Sequence, residues 1–244
     1  MISTSKEELT DRLRKVQQII IELQADACII TTSVNQFYLN DFIFDGYLYI
    51  LPESDPLLFI KRPQGIEDQH VEYFRKPEQL PEMLSKYNLS LPRRLLLETD
   101  ALSYSTAVRL QTALNMPELI NVSQKLREIR SVKSNFEIRQ IRESAKIHAE
   151  VYSQIRSIYQ PGMTDIEFQI ELEYRMRKAG SLGIFRSFGE NMDIYMGSIL
   201  AGNNAQTPSP YDYALGGGGI TPLLPLGANG TPLKEGTTLM VDMA

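Results

Sequence analysis

The sequence predicts an α/β layer domain followed by an α+β region of two long helices and a glycine-rich sheet. Three observations predict it. Helices and short apolar strands alternate up to about Val122, two helix-capping motifs then follow one another, and the helical period ends at Gly180. A chain of 244 residues that is 43% hydrophobic and 23% charged is long enough to form two domains with sizeable cores.

The first half begins with an amphipathic helix within residues 5–25, where apolar side chains recur every three or four positions: Leu9, Leu13, Val16, Ile20 and Leu23. The run "ACIITTS" predicts a buried strand because it is short, continuous and rich in isoleucine and threonine. "GYLYILP" and "PLLFIKR", separated by "ESD", predict two antiparallel strands. "RRLLLETD" predicts a further strand, and residues 104–114 a helix.

Two capping boxes start the predicted helices of the second half. Ser134 with Glu137, and Thr164 with Glu167, are pairs in which each side chain bonds a free backbone N–H at the helix start. The first helix extends to about Tyr159, and its spacing predicts a long buried stripe: Ile138, Ile141, Ala145, His148, Tyr152 and Ile155. The second follows a Pro-Gly break and ends near Gly180, a residue suited to a helix C-terminus.

Short apolar runs punctuated by glycine, proline and asparagine predict a sheet after Gly180. Asn229 and Gly230 are a strong hairpin signal, so we expect the terminal strand "TTLMVDMA" to pair with a strand just upstream. "LGGGGI" resembles a phosphate-binding loop in composition only, since no Lys-Ser/Thr follows it. We interpret it as a flexible connection.

Composition excludes several classes of function. A formal net charge of -5 offers no bulk positive field for nucleic acid or an anionic membrane surface. The single cysteine, Cys28, lies in an apolar run and is interpreted as a buried hydrophobe. The N-terminus is charged and lacks a signal-peptide pattern, and no apolar stretch approaches the roughly 20 residues of a membrane span. We therefore expect a cytoplasmic protein.

Few residues are candidates for chemistry. His70 lies in a polar segment and His148 on an apolar helix face, where a hydrogen-bonded core histidine is the commoner case. Asp242 stands near the end of an apolar strand, where a carboxylate must be exposed, hydrogen-bonded or bound to a cation. On spacing alone it is either an exposed residue or one ligand of a metal ion.

Several segments together resemble the creatinase, prolidase and aminopeptidase P (Xaa-Pro peptidase) family. In order, they are "LREIRSVKSNFEIRQIRESAKI", "PGMTDIEFQIELEYRMRKAG", "MGSILAGNNA" and "LKEGTTLMVDMA". They are similar to that family's lead-in arginine and helix, its "P-G-x-T-E" helix, its "G-x-N" turn and its first metal-ligand strand. "SVNQFYLNDFIFDGYLYILPESDPLLFIKR" resembles the "N-x-x-Y-L-x-G-F" region of the smaller domain.

The resemblance implies a creatinase-like N-terminal α/β domain with a mixed sheet in residues 1–124, a linker in 125–133, and an incomplete α+β pita-bread domain in 134–244. In that family two divalent metals about 3.5 Å apart activate water for amide hydrolysis. Asp242 matches the first ligand, and the remaining ligands would lie beyond Ala244. A divalent metal (Mn, Co or Zn) is therefore expected in a longer parent protein, and none in this chain.

The resemblance also has a gap. Where peptidase members carry a substrate-contacting histidine, this chain has Ser209 or Pro210. Neither supplies an imidazole; Tyr211 or Asp212 could take a polar role there, although loop exposure is the commoner reason for such residues.

Two hypotheses follow. The first is the N-terminal portion of a Xaa-Pro dipeptidase or aminopeptidase-like metallohydrolase, whose parent acts on a peptide or small amide and whose 244 residues alone are inactive. The second is a non-catalytic binding or oligomerisation module, or a pseudo-enzyme, of the same fold. A homodimer is expected in either case.

Overall fold

The computed structural model describes residues 4–183, 196–210 and 216–243. They form two compact units, Met1–Phe136 (unit 1) and Glu137–Ala244 (unit 2). Tyr211 and Asp212 lie outside the described residues.

Unit 1 is built from five α-helices, one 3-10 helix and six strands among its described residues. They are α1 Lys6–Glu22, β1 Ala27–Ile30, α2 Ser33–Asn40, β2 Asp45–Ile50, β3 Leu57–Arg62, β4 Val71–Tyr73, the 3-10 helix Pro77–Gln79, α3 Leu80–Lys86, β5 Arg94–Leu97, α4 Tyr104–Ala113, β6 Glu118–Asn121 and α5 Ser123–Ser131. The predicted opening helix, the strand "ACIITTS" and the strand pair around "ESD" are confirmed. Helix α5 covers most of residues 125–133, which the sequence interpretation treats as a linker.

The six strands form one mixed sheet in the order β4-β3-β2-β1-β5-β6. Strands β1, β5 and β6 run parallel, β2 is antiparallel to both β1 and β3, and β4 is parallel to β3. Cys28 sits at the centre, opposite Ile50 of β2 and Leu96 of β5. The mixed sheet confirms the predicted α/β character of this unit.

Both faces of the sheet are covered. Alternate residues of β1 point to opposite sides, so that Cys28 and Ile30 join a core formed with α1, α2 and α5, while Ala27 and Ile29 join a core formed with α3 and α4. All four are fully buried. Unit 1 is therefore a three-layer α/β/α domain.

Unit 2 contains one small sheet and one core among its described residues. Its elements are α6 Asn135–Tyr152, which starts in unit 1, α7 Ile155–Ile158, α8 Asp165–Lys178, β7 Gly197–Ala201, the 3-10 helix Gly202–Gln206 and β8 Leu239–Met243. Strands β7 and β8 pair antiparallel, with Ser198 opposite Asp242. The core lies between this pair and the helices and is centred on Phe168, Leu172 and Ile199.

The capping box at Thr164 is confirmed. The Thr164 hydroxyl accepts the backbone N–H of Glu167 at 3.3 Å, and the Glu167 carboxylate accepts the backbone N–H of Thr164 at 2.8 Å. Gly180 follows Ala179, the C-cap residue of α8, and has a positive φ of 110°, as the sequence predicts for a helix end.

The predicted long buried stripe on the first helix of unit 2 is wrong. The helix ends at Tyr152 and a short helix follows after a turn, while Ile141 is 52% exposed and Ala145 is exposed. The core of unit 2 reaches only the last turn of α6, at Val151 and Tyr152. Helical periodicity predicts which face of a helix is apolar. That face becomes buried only where a second element packs on it.

The predicted hairpin before the terminal strand is also wrong. Strand β8 pairs with β7, far upstream, and Gly230 has a positive φ of 87° whereas Asn229 is not among the positive-φ residues. The fully buried carboxylate of Asp165 accepts the N–H groups of Asn229 at 3.3 Å and Gly230 at 2.9 Å. A side chain thus holds this turn where a hairpin partner was expected.

Candidate functional site

Strand β8 places Asp242 on the face of the small sheet that points away from the core of unit 2. Leu239, Val241 and Met243 face the core of unit 2, so the side chain of Asp242 projects from the other face and is exposed. Its neighbour across the strand pair is Ser198. Because Asp242 is exposed, water can solvate its carboxylate, and the carboxylate is accessible to a ligand.

Tyr152 fixes the end of the same strand. Its hydroxyl donates to the carbonyl oxygen of Met243 at 3.1 Å and accepts the N–H of Met243 at 3.0 Å. Burial, more than the nearby charge of Asp242, raises the pKa of Tyr152 above its usual value, so the phenol stays protonated and can donate. The ring also packs on His148, with centroids 4.4 Å apart. No motif in the sequence singles out this contact.

Asn204 ties two glycine-containing segments together. It is the asparagine of the "G-x-N" turn and is 3% exposed. Its amide nitrogen donates to the Gly227 carbonyl at 3.0 Å, and its amide oxygen accepts the Gly218 N–H at 2.8 Å. The motif marked this residue in the sequence, but only the structure shows what the asparagine holds.

The glycine run 216–219 is packed, which corrects its interpretation as a flexible connection. A side chain on Gly217 would come within 2.6 Å of both a Leu200 methyl and the Gly227 carbonyl. A side chain on Gly227 would lie 3.5 Å from the Ser198 hydroxyl. Because Ser198 and Leu200 belong to β7, these loops approach the strand pair that carries Asp242. Glycine is needed here for close approach of the backbone.

Ser209 belongs to the same group of loops. Its hydroxyl donates to the Pro225 carbonyl at 3.1 Å, and its side chain stands against Gly216. Ser209 is half-buried, while Pro210 is exposed. The structure therefore gives Ser209 a role in holding the loop, and no contact brings Ser209 or Pro210 to Asp242 within the described residues.

The described residues do not by themselves fit a two-metal centre. Within residues 4–183, 196–210 and 216–243, no group of three or more His, Cys, Asp or Glu side chains is arranged to hold a metal ion. Asp242 supplies one carboxylate, and a centre of two divalent ions requires several that converge.

Unit 1 carries a separate buried carboxylate, which the sequence interpretation overlooked. Glu98, at the end of β5, is 1% exposed and accepts five hydrogen bonds. The donors are the N–H and hydroxyl groups of Thr31 and Thr32, and the side-chain amide of Asn35 at 2.6 Å. Arg130 of α5 in turn donates to the Asn35 oxygen at 3.1 Å. The carboxylate joins the ends of β1 and β5 to α2.

Neither histidine belongs to a group of metal-ligand side chains among the described residues. His70 is half-buried, and its Nδ1 lies 3.2 Å from the carboxylate of exposed Asp68. His148 is half-buried and is held by ring packing on Tyr152, without the hydrogen bond expected of a core histidine within the described residues.

Comparison with protein families identifies unit 1. Residues 12–132 match the Creatinase/Prolidase N-terminal domain. These residues belong to that family. The match covers most of the three-layer unit, and Glu98 lies within it.

Curated relatives of the chain are described as peptidases. It is 25% identical over 176 residues to the uncharacterized peptidase YqhT of Bacillus subtilis, covering 70% of this chain and 50% of that protein. It is 27% identical over 199 residues to the putative dipeptidase YkvY of the same organism, covering 74% of this chain and 54% of that protein. The chain therefore spans about half the length of these relatives.

Solved structures show the same fold beyond the creatinase/prolidase N-terminal domain. The Xaa-Pro dipeptidase from Bacillus anthracis matches with a TM-score of 0.69 and 18% identity over 95% of this chain and 59% of that one. The prolidase from Pyrococcus horikoshii matches with a TM-score of 0.68 and 18% identity, over 94% of this chain and 59% of that one. The predicted fold class, an N-terminal α/β domain followed by part of a pita-bread domain, is confirmed.

None of the described helices combines the length and the apolar character needed to cross a bilayer.

Proposed function

We propose that this chain is the N-terminal portion of a Xaa-Pro dipeptidase or aminopeptidase-like metallohydrolase. The observation that carries the proposal is the position of Asp242, exposed on the face of the β7–β8 pair away from the core, in a chain with the fold of Xaa-Pro dipeptidases. The parent would cleave a peptide or small amide. The 244 residues alone would be inactive, because the part of the chain that the structure describes offers one ligand-type carboxylate at this face.

Two divalent ions, Mn, Co or Zn, would activate water and polarise the scissile carbonyl in the parent. Asp242 would supply one ligand. The contribution of this chain to catalysis is the placement of that carboxylate: β7 pairing and the Tyr152 hydroxyl fix the strand on which it stands. Under this proposal the remaining ligands lie beyond Ala244.

The test uses the gene's full reading frame and the 244-residue chain side by side. Each is incubated with Mn, Co or Zn and a panel of Xaa-Pro dipeptides, and bound metal is measured. We expect hydrolysis only by the longer protein. Asp242→Asn should lower its kcat/KM by about a thousandfold, which corresponds to roughly 4 kcal/mol of transition-state stabilisation. Glu171→Gln, an exposed change on α8, is the matched control.

A reading frame without further Asp, His and Glu ligands, or two tightly bound ions in the 244-residue chain, would overturn the proposal. Full activity of Asp242→Asn would remove its role as a ligand.

A second candidate is a non-catalytic binding or oligomerisation module. The observation that favours it is the loop at Ser209 and Pro210: the Ser209 hydroxyl donates to the Pro225 carbonyl, and Pro210 offers no proton. Under this proposal the protein is a homodimer, and neither chain length hydrolyses any Xaa-Pro dipeptide. Light scattering tests the assembly, and a strict monomer at all concentrations would count against it.

A further inference from the structure

Unit 2 contains a cavity on the side of the β7–β8 pair opposite to the face that carries Asp242. It has a volume of about 200 Å³, opens to the surface and is lined by residues of α7, α8 and the segment that leads into β8. Buried Phe168 and Ala201 line it, together with half-buried Ile155 and Leu239. Its inner lining is therefore apolar and large enough for about six or seven water-sized groups.

Two cations stand at this cavity. Arg156 and Lys234 are exposed and line it, and neither has an ion pair or a side-chain hydrogen bond among the described residues. No acidic residue is among its described lining residues. In a chain with a formal net charge of -5, these two cations make the rim of the cavity locally positive.

Hydroxyl groups complete the lining. Tyr159, Thr237 and Thr238 contribute side-chain O–H groups that can donate to a ligand oxygen. The surrounding backbone is fixed: the Leu233 N–H donates to the Met163 carbonyl at 2.8 Å, and the Thr237 N–H to the Lys234 carbonyl at 3.1 Å. The cavity is thus formed before any ligand enters, which lowers the entropic cost of binding.

We propose that this cavity binds a small carboxylate with an apolar body, such as a medium-length fatty acid or the carboxyl-terminal end of an apolar amino acid derivative. The carboxylate lies between Arg156 and Lys234, and the carbon body enters against Phe168 and Leu239. The site does not depend on the proposed hydrolase function, because none of its lining residues is Asp242, Ser209 or Pro210.

The first experiment compares ligands on the 244-residue chain by calorimetry and by methyl NMR. The probes are acetate, butanoate, hexanoate, hexan-1-ol, N-acetyl-leucine and inorganic phosphate. Each added methylene should tighten binding about fourfold until the body outgrows the cavity. Hexanoate should bind more tightly than hexan-1-ol, and the methyl signals of Ile155, Leu233 and Leu239 should shift. N-acetyl-leucine separates an amino acid derivative from a simple fatty acid.

The second experiment tests the cations. Arg156→Gln and Lys234→Gln should each weaken hexanoate binding by up to about fivefold, as expected for exposed charge pairs, and higher salt should weaken it further. Hexan-1-ol binding should not change. Arg142→Gln, an exposed change on α6, is the control. The ligand series on the unmodified chain keeps the proposal testable if a variant fails to fold.

Three results would overturn the proposal. The first is no binding of hexanoate, or shifts in methyl groups elsewhere only. The second is equal affinity for hexanoate and hexan-1-ol, or for hexanoate and phosphate. The third is unchanged affinity in both glutamine variants.

Discussion

Glu98 accepts five hydrogen bonds in a nearly inaccessible position, so its carboxyl group organises the turn after β1. Glu98→Gln replaces one acceptor oxygen with an NH₂ group, which is a donor. That donor then faces N–H or O–H groups that are donors themselves, so hydrogen bonds are lost. We expect unit 1 to lose about 1–3 kcal/mol of unfolding free energy, measured by urea titration.

Glu53→Gln is the matched control, because Glu53 is exposed in the turn between β2 and β3. An equal and small effect of both changes would show that the hydrogen bonds to Glu98 contribute little.

Glu78 supplies a pH-dependent contact at the protein surface. Arg109 donates to both carboxylate oxygens, at 2.8 and 3.0 Å, and this pairing is the main reason that the pKa of Glu78 falls from 4.5 to about 2. A lowered folded-state pKa means that the contact stabilises the fold above pH 4.5 and that this contribution is lost as the pH falls towards 2. Because both side chains are exposed, the effect on stability is small.

The pKa itself is the sensitive measurement. In Arg109→Gln, we expect the carboxyl carbon of Glu78, followed by NMR, to titrate close to an ordinary glutamate. An unchanged pKa in the variant would contradict the assignment to Arg109.

At the level of elements, the glycine run near β7 depends on close backbone approach. Gly219 has a φ of 67°, and a side chain there would meet the Leu226 N–H at 2.7 Å. Gly162 has a φ of 91° and nothing within 4 Å of an added side chain. Gly219→Ala and Gly162→Ala therefore share a left-handed strain of about 1–2 kcal/mol, and only the first adds a collision of about 1–3 kcal/mol.

Thermal and urea unfolding of the two variants measure that difference. Equal destabilisation would show that the loop moves to accommodate the methyl group at Gly219.

The elements that the sequence predicted correctly are those whose signal is local. The strand at Cys28 and the capping box at Thr164 need only short-range patterns. The partner of β8 was predicted incorrectly because Asn229 and Gly230 gave a local hairpin signal, whereas a distant carboxylate, Asp165, holds that turn. The pattern on α6 correctly identified apolar positions but could not show what covers them.

The candidate site was predictable in part for the same reason. Asp242 and the asparagine of the "G-x-N" turn were found through ordered motifs. The contact between Tyr152 and Met243 joins residues 91 positions apart and has no sequence pattern. The loop-holding hydrogen bond of Ser209 likewise depends on how distant segments pack.

At the scale of the whole molecule, the two units differ in how much structure supports each sheet. Unit 1 has six strands and a core on both faces, and the described part of unit 2 has a two-stranded sheet with one core. A two-stranded sheet is marginal without packing against other elements. We expect unit 2 to unfold first and the amides of β7 and β8 to exchange faster than those of β1 and β5.

Matched core truncations assign the transitions. Phe168→Ala should lower only the first transition, by about 3–5 kcal/mol, and Leu96→Ala only the second, by about 2–5 kcal/mol. Uniform amide protection, or a single transition that responds to both changes, would contradict independent unfolding.

The Tyr152 hydroxyl has a consequence for how this protein meets other chains. By taking both backbone groups of Met243, it fills one hydrogen-bonding position at the edge of β8. An incoming strand from a neighbouring molecule must displace the phenol or stop short of that residue. The Tyr152 hydroxyl therefore hinders strand-to-strand aggregation at the edge of β8, the strand that carries Asp242.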